Sequence, residues 1–209
     1  MSIATLKTRI TRLAQTLNHG FALDGAFRLR RKLPYIDQFI EIQPGGGSLD
    51  GMFTCNLCWL FTADGTSRDD VYHHVVRLGA LTGGTDLWLS HEPKQALEAS
   101  WEKFTQLLNE FGLPFLDSLT DLRQIVAKYE NALANDSGHP ASSASPLLFF
   151  GMDDGWRHYN LGFAYRALGD DERSQHHLQL VITKYSDHPY EWVQKRRQMC
   201  ESALGTAKK

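Results

Sequence analysis

The chain has 209 residues, 42% of them hydrophobic and 22% charged, which suits one large folded domain or a domain with an appendage and excludes a disordered polyelectrolyte. A formal net charge of −2 supplies no global field that would recruit nucleic acid or an anionic membrane. No apolar run approaches the roughly 20 residues of a membrane-spanning helix, and three cysteines, an odd number, argue against a disulfide framework.

The opening Met1-Ser2-Ile3-Ala4-Thr5-Leu6-Lys7 has no basic segment followed by an apolar block, so no signal peptide is expected. Together with the cysteine count this predicts a reducing, cytoplasmic setting. Ile3, Leu6, Ile10, Leu13 and Leu17 recur at helical spacing and predict an amphipathic helix of about four turns that stops near Asn18-His19-Gly20.

Ala26 to Leu33 alternates. Phe27, Leu29 and Leu33 share one face, Arg28, Arg30 and Lys32 the other, and Arg31 interrupts the apolar side. Pro34 predicts a turn. Tyr35 to Gln43 reads as a second strand, with Ile36, Ile40 and Ile42 inward around Gln38, and Pro44 to Gly51 as a flexible hairpin loop. Met52 to Thr62 is the most strand-like run, with Phe53, Cys55, Leu57, Trp59 and Phe61 on a single face. Three strands joined by short links predict an antiparallel meander.

A fourth strand is predicted through Val75, Arg77 and Gly79, and a short strand or edge segment at Asp86–Leu89. Leu97, Trp101, Phe104, Leu108 and Phe111 predict a helix over 92–111, with Pro93 in its first turn and Gly112-Leu113-Pro114 as its stop. A further helix carries Leu122, Ile125, Val126 and Tyr129. Asn135 to Pro146 has the composition of a linker, and three helices follow, near 156–168, 171–185 and 189–203. The expected fold is α+β: an antiparallel sheet of about four strands with helices packed on one side, plus a C-terminal helical hairpin and final helix. The expected division is an α+β domain at 1–134, a linker or long loop at 135–154, and a helical segment at 155–209 docked on the first domain.

Two family likenesses attach to particular residues. The leading helix ends in Gly20-Phe21. Phe27-Arg28-Leu29-Arg30-Arg31, Ile40-Glu41-Ile42-Gln43, a Gly/Ser loop and Phe53-Thr54-Cys55-Asn56-Leu57 follow in that order. Arg77-Leu78-Gly79, Asp86-Leu87-Trp88 and Gly112-Leu113-Pro114-Phe115-Leu116-Asp117 complete the series. Over residues 1–130 this order resembles the bacterial family catalogued as domain of unknown function 4304. The resemblance implies a small α+β domain, sometimes found near toxin–immunity loci, and it carries no catalytic residue.

His158-Tyr159-Asn160-Leu161-Gly162-Phe163-Ala164-Tyr165 followed by Gly169-Asp170 resembles the first helix and turn of a tetratricopeptide repeat. Gly162 is placed to let the second helix approach closely. Ser174 and Val181 stand at small-residue positions of the second helix, and Pro189 comes late. A single unit, over 156–185, predicts one hairpin rather than a peptide-binding array.

The candidate chemistry is sparse. Cys55 and Cys58 have zinc-like spacing, but in a strand their sulfurs point to opposite faces and no second ligand pair exists, so they read as buried hydrophobes. Neither His73-His74 nor His176-His177 is a chelate by itself, and both read as surface or edge histidines. Asp153 and Asp154 beside Trp156 and His158 could supply acid/base chemistry or cap a helix. Arg28, Arg30 and Lys32 form a basic stripe that Asp37 and Glu41 on the next strand can neutralise. Lys195, Arg196 and Arg197 read as a solvated last helical turn. Trp59, Trp101 and Trp192 read as core or docking residues, whereas Trp88, beside Asp86, could anchor an interface. With no phosphate loop, nucleophile elbow or helical metal pair, no cofactor and no metal are expected.

The expected function is a non-enzymatic protein–protein interaction module, of immunity or regulatory type. Its candidate contact residues are Arg28, Arg30, Lys32, Asp86, Trp88, Trp156 and His158. The expected partner is another protein, with neither membrane nor nucleic acid. The alternatives are an enzyme with a cryptic site using Asp86, His158, Asp153 or Asp154, and a structural or oligomerising subunit.

Overall fold

The computed structural model describes residues 3–17, 19–63, 74–84, 86–135 and 154–206. They divide into two compact units, one of the residues to Thr62 and from His74 to Thr120, the other of Ala63 and the residues from Asp121 onward.

The first unit begins with α1 (Ile3–Thr16) and continues through β1 (Ala22–Leu23), β2 (Arg28–Leu33), β3 (Ile36–Pro44), β4 (Met52–Phe61), β5 (His74–Arg77) and β6 (Leu89–Ser90). α2 (Lys94–Leu107) and α3 (Leu113–Asp117) close it. Every strand pair is antiparallel, in the order β1-β2-β3-β4-β5, and β6 also pairs with β4. The meander over β2–β4 matches the sequence reading. The sheet has six strands rather than about four, because β1 and β6 are two residues long and a two-residue strand shows no alternation. Gly79 leaves the fourth strand: Leu78–Thr82 is a 3-10 turn that ends at Gly83 in the left-handed region.

Register fixes which side chains share a face. Ile36, Gln38, Ile40 and Ile42 lie opposite Phe61, Trp59, Leu57 and Cys55. The helices pack on this side, where Leu6, Ile10 and Leu13 of α1 and Leu97, Trp101 and Phe104 of α2 join Leu29, Ile40, Phe53 and Leu57 in the main core. The Phe53 ring stands edge-on to Phe104 at 5.9 Å and tilted to Trp101 at 6.2 Å. Phe39, Cys58 and Leu60 form a smaller buried cluster on the other face.

Gly112-Leu113-Pro114 does not stop the helix. The chain passes through one π turn, Leu108–Gly112, into α3 with Pro114 in its first turn. There proline's missing N–H costs little. A Cβ on Gly112 would lie 2.9 Å from Leu108 Cδ1 and 3.2 Å from Leu78 Cδ1, so a larger residue here would have to displace the tips of both leucines.

Arg31, the residue that interrupted the apolar face, is buried. Its guanidinium lies over the Phe21 ring at 4.7 Å and donates to Gln38 Oε1 at 2.5 and 2.8 Å and to Asp117 Oδ1 at 2.7 Å. Gln38 Nε2 in turn donates to the carbonyls of Leu116 and Leu119, at 2.7 and 3.1 Å. Sheet and α3 are thus tied by a buried polar network that satisfies helix-end carbonyls.

The second unit comprises α4 (Leu122–Asn135), α5 (Asp154–Ala167), α6 (Asp171–Lys184) and α7 (Glu191–Thr206). The division at Thr120 groups α4 with the C-terminal helices, whereas the sequence placed residues to 134 in the first domain. Most of the stretch read as a linker, 136–153, lies outside the described residues. Asp170 caps α6 by accepting from the Arg173 amide at 3.1 Å. A Cβ on Gly162 would come 2.5 Å from Leu178 Cδ2 and 3.2 Å from the Leu178 amide nitrogen, so α5 and α6 touch there through backbone. Gly162→Ala is expected to cost about 1–3 kcal/mol by overpacking, read as a lower urea midpoint with unchanged m; a loss under 0.5 kcal/mol would show that the hairpin yields freely. No helix of the described residues is long and apolar enough to cross a membrane.

Candidate functional site

The seven residues singled out from sequence fall in three places. On the sheet, Arg28 Nη2 pairs with Asp24 at 2.7 Å and its guanidinium lies 5.2 Å from the centre of the Phe39 ring. Arg30 pairs with Asp37 across the strands at 2.5 Å, and Lys32 is exposed opposite Asp37 in the register. The stripe is therefore largely engaged by its own chain. In the second place, Asp86 pairs with Arg77, whose guanidinium also covers the half-buried Trp88 at 5.7 Å. Trp156 and His158 stand on α5 of the second unit.

Cys55 and Cys58 are buried on opposite faces, one in the main core and one in the smaller cluster. Burial pushes both thiols well above their ordinary range, with Glu41 reinforcing it. Cys200 is also fully buried. The native protein is accordingly expected to resist iodoacetamide at pH 8 and to take up three equivalents in denaturant. Rapid native labelling of any of the three would contradict that burial. Among the described residues no three His, Cys, Asp or Glu side chains gather as metal ligands. Asp154 pairs with Arg157 at 3.4 Å and Lys184 at 3.6 Å at the start of α5, whereas Asp153 and His73 lie outside the described residues.

α5 presents two faces that carry clustered side chains. Trp156, Tyr159 and Phe163 recur at spacings of three and four and form one ridge, with ring contacts at 6.2 and 4.9 Å. This ridge meets α7. Arg196 is buried with its guanidinium 3.6 Å from the Trp156 ring centre and 4.9 Å from that of Trp192, while Tyr159 Oη contacts Met199 Sδ at 3.4 Å. Because α7 runs to Thr206, Arg196 belongs to its second turn and packs inward, a correction to its reading as part of a solvated last turn.

Outward from this stack, Trp192 lies nearly parallel to Tyr190, at 6.3 Å and 13°. His188 sits 5.3 Å from Tyr190 and 6.3 Å from Trp192. Tyr190 is 60% exposed and Trp192 48%. Trp192 is therefore a surface residue, not a core one. The segment before α7 is braced: Gln194 Nε2 donates to the carbonyls of His188 and Tyr185, at 2.7 and 3.2 Å, and Arg197 Nη1 donates to that of Ser186 at 2.9 Å. The charges beside the patch are paired locally, Lys195 with Glu191 and Arg197 with Glu201.

The second face of α5 carries His158, whose Nδ1 lies 2.9 Å from His177 Nδ1 on α6. His177 is half-buried and stacks on Tyr165 at 5.6 Å and 7°, so it is not a surface histidine; His176 beside it is exposed. A shallow groove of about 730 Å³ runs along α6, lined by Glu172, Gln175, His176, Gln179, Leu180 and Leu204. It includes neither the histidine pair nor the aromatic patch.

Sequence reasoning found Trp156 and His158 but missed Tyr190, Trp192, Arg196 and His177 as members of these two clusters. The one available signal was the i, i+4 spacing of Trp192 and Arg196, which places both on one helix face. Comparison with protein-family models, curated proteins and solved structures finds no match for this chain.

Proposed function

We propose that the protein is a non-enzymatic interaction module that binds another protein through the aromatic patch of His188, Tyr190 and Trp192, backed by Trp156 and Arg196. The observation that carries this is the pair of large aromatic rings held outward, at 60% and 48% exposure, on a braced segment. Trp, Tyr and Arg are the residue types that dominate binding energy at protein interfaces. A rigid aromatic anchor also loses little conformational entropy on binding. Because the neighbouring charges are already paired, the patch offers apolar contact rather than charge selection.

The immunity-type or regulatory version of this reading, in a bacterial cytoplasm, rests on the resemblance of residues 1–130 to domain of unknown function 4304. In the rival enzyme reading, Asp154 would act with His158, yet Asp154 is held by Arg157 and Lys184. The test is affinity purification of the tagged chain from its host beside a Tyr190→Ala/Trp192→Ala variant of unchanged circular dichroism. One stoichiometric protein retained by the wild type and lost from the variant supports the patch. Equal recovery by both, or no partner together with turnover of a small molecule, overturns it.

A further inference from the structure

We propose that His158 and His177 form a proton-operated clasp between α5 and α6, closed by a single Nδ1 proton between the rings while the pair is neutral or carries one positive charge, and opened when both rings are cationic.

The geometry is that of a hydrogen bond. The Nδ1 atoms are 2.9 Å apart, the ring centroids 5.1 Å, and the planes 31° apart. The centroid separation is close to the nitrogen–nitrogen distance plus a ring radius at each end, so the rings meet head-on. A chelated cation would need both lone pairs to converge on one point beside the rings, and among the described residues no third ligand completes such a group. A neutral imidazole has one donor and one acceptor nitrogen. The contact therefore requires opposite tautomers: one ring carries its proton on Nδ1 and the other on Nε2.

The first added proton leaves the bond intact, since an imidazolium Nδ1–H still donates to the neutral partner. The second puts two donors and two positive charges face to face. The surroundings resist it. Arg157 on α5 and Arg173, His176 and Lys184 on α6 bear on the pair with positive or potentially positive charge. Asp154 on α5 and Glu130 on α4 oppose them, but Asp154 is taken by Arg157 and Lys184, and Glu130 by the Tyr165 hydroxyl and Arg173. Burial pushes His158 below the ordinary histidine range, Asp154 partly opposing, and pushes His177 down to about 4, with His158 adding to it. His177 is thus the ring that takes the second proton.

The sign follows from linkage. An unfolded histidine titrates near 6.5. Between about pH 6.5 and 4 the unfolded chain binds more protons than the native one, so acidification costs stability across that window. The same α5 carries Trp156 into the aromatic patch, so an open clasp loosens the support of that patch. This last link rests on the binding reading; the clasp does not, and its test uses no partner.

The test takes the full chain through long-range ¹H–¹⁵N spectra of the histidine rings and urea titrations from pH 7.5 to 4. At neutral pH the pair should show one Nδ1–H and one Nε2–H tautomer, with His177 neutral below pH 5. The unfolding constant should rise about tenfold from pH 6.5 to 4.5 through this pair, allowing for partial solvent screening. His177→Asn, whose carboxamide can bond to the same nitrogen without titrating, should keep most of the neutral-pH midpoint and lose that part of the acid decline. Two Nε2–H tautomers, an identical acid decline in His177→Asn, or a zinc-induced rise in midpoint confined to the wild type would each overturn the clasp. If His177→Asn fails to fold, the wild-type tautomers and titration decide the matter alone.

Discussion

Arg31→Met is expected to lower the unfolding free energy by about 2–3 kcal/mol, the range for losing charge-assisted hydrogen bonds to a buried amide, the ion pair with half-exposed Asp117 adding little. Arg31 is 8% exposed and Gln38 wholly buried. Without the guanidinium, Gln38 Oε1 loses both Arg31 donors and Asp117 Oδ1 loses one, while the methionine thioether offers no donor. Gln38→Leu alone orphans the Arg31 guanidinium on one side and removes the side-chain donor from the Leu116 and Leu119 carbonyls, of which Leu116 keeps the Leu119 amide at 3.0 Å. The double replacement should therefore cost clearly less than the sum of the singles, because it removes a network that either single change leaves half-satisfied. Urea unfolding of the four proteins measures this. A single-variant loss below 1 kcal/mol, or strict additivity, would show that the network is not cooperative.

On the proposed binding reading, Trp192→Ala is expected to weaken binding of a protein partner by at least about 2 kcal/mol, or roughly thirtyfold, the threshold for an interface hot spot. Tyr190→Ala should cost less by itself, since Trp192 would still stand against Trp156 at 6.1 Å and beside Arg196. Trp192→Phe, which keeps a ring in that place, should fall between. Trp156→Ala differs in kind: it removes the ring 3.6 Å from a buried guanidinium and should lower folding stability as well as affinity. Calorimetry against the purified partner, with urea unfolding in parallel, separates the two effects. Full affinity in Trp192→Ala would move the interface elsewhere on the chain.

These two predictions sit on opposite kinds of sequence evidence. Arg31 announced itself as a flaw in an alternating strand, but nothing in the sequence indicated that Gln38, seven residues on, would meet it. That pairing needs the cross-strand register. Trp192 was visible only as one more large aromatic. Its exposure depends on how α7 turns around Arg196, and a cation buried among rings has no local signature. The basic stripe was legible in pattern and in one partner: Asp37 lies opposite Lys32 in the register and is reached diagonally by Arg30, whereas Arg28 is met by Asp24 of its own approach to the strand. The π turn at Leu108–Gly112 was not, since a glycine followed two residues later by a proline reads as a stop unless tertiary packing holds the helix together.

Periodicity and short strand links were enough to determine the antiparallel α+β class, the inward face of β4 and the opposite orientation of Cys55 and Cys58, each decided by neighbours close along the backbone, while the close approach at Gly162 followed from the resemblance to a tetratricopeptide repeat. Tertiary structure alone decided the pairing of β1 and the bounds of β6, of which the edge segment read at Asp86–Leu89 caught only Leu89, along with the placement of α4 with the C-terminal helices, the inward turn of Arg196, and the meeting of His158 with His177 at 2.9 Å. Those features join residues distant along the chain, and their energy comes from burial and hydrogen bonds that exist only once the helices and strands have packed.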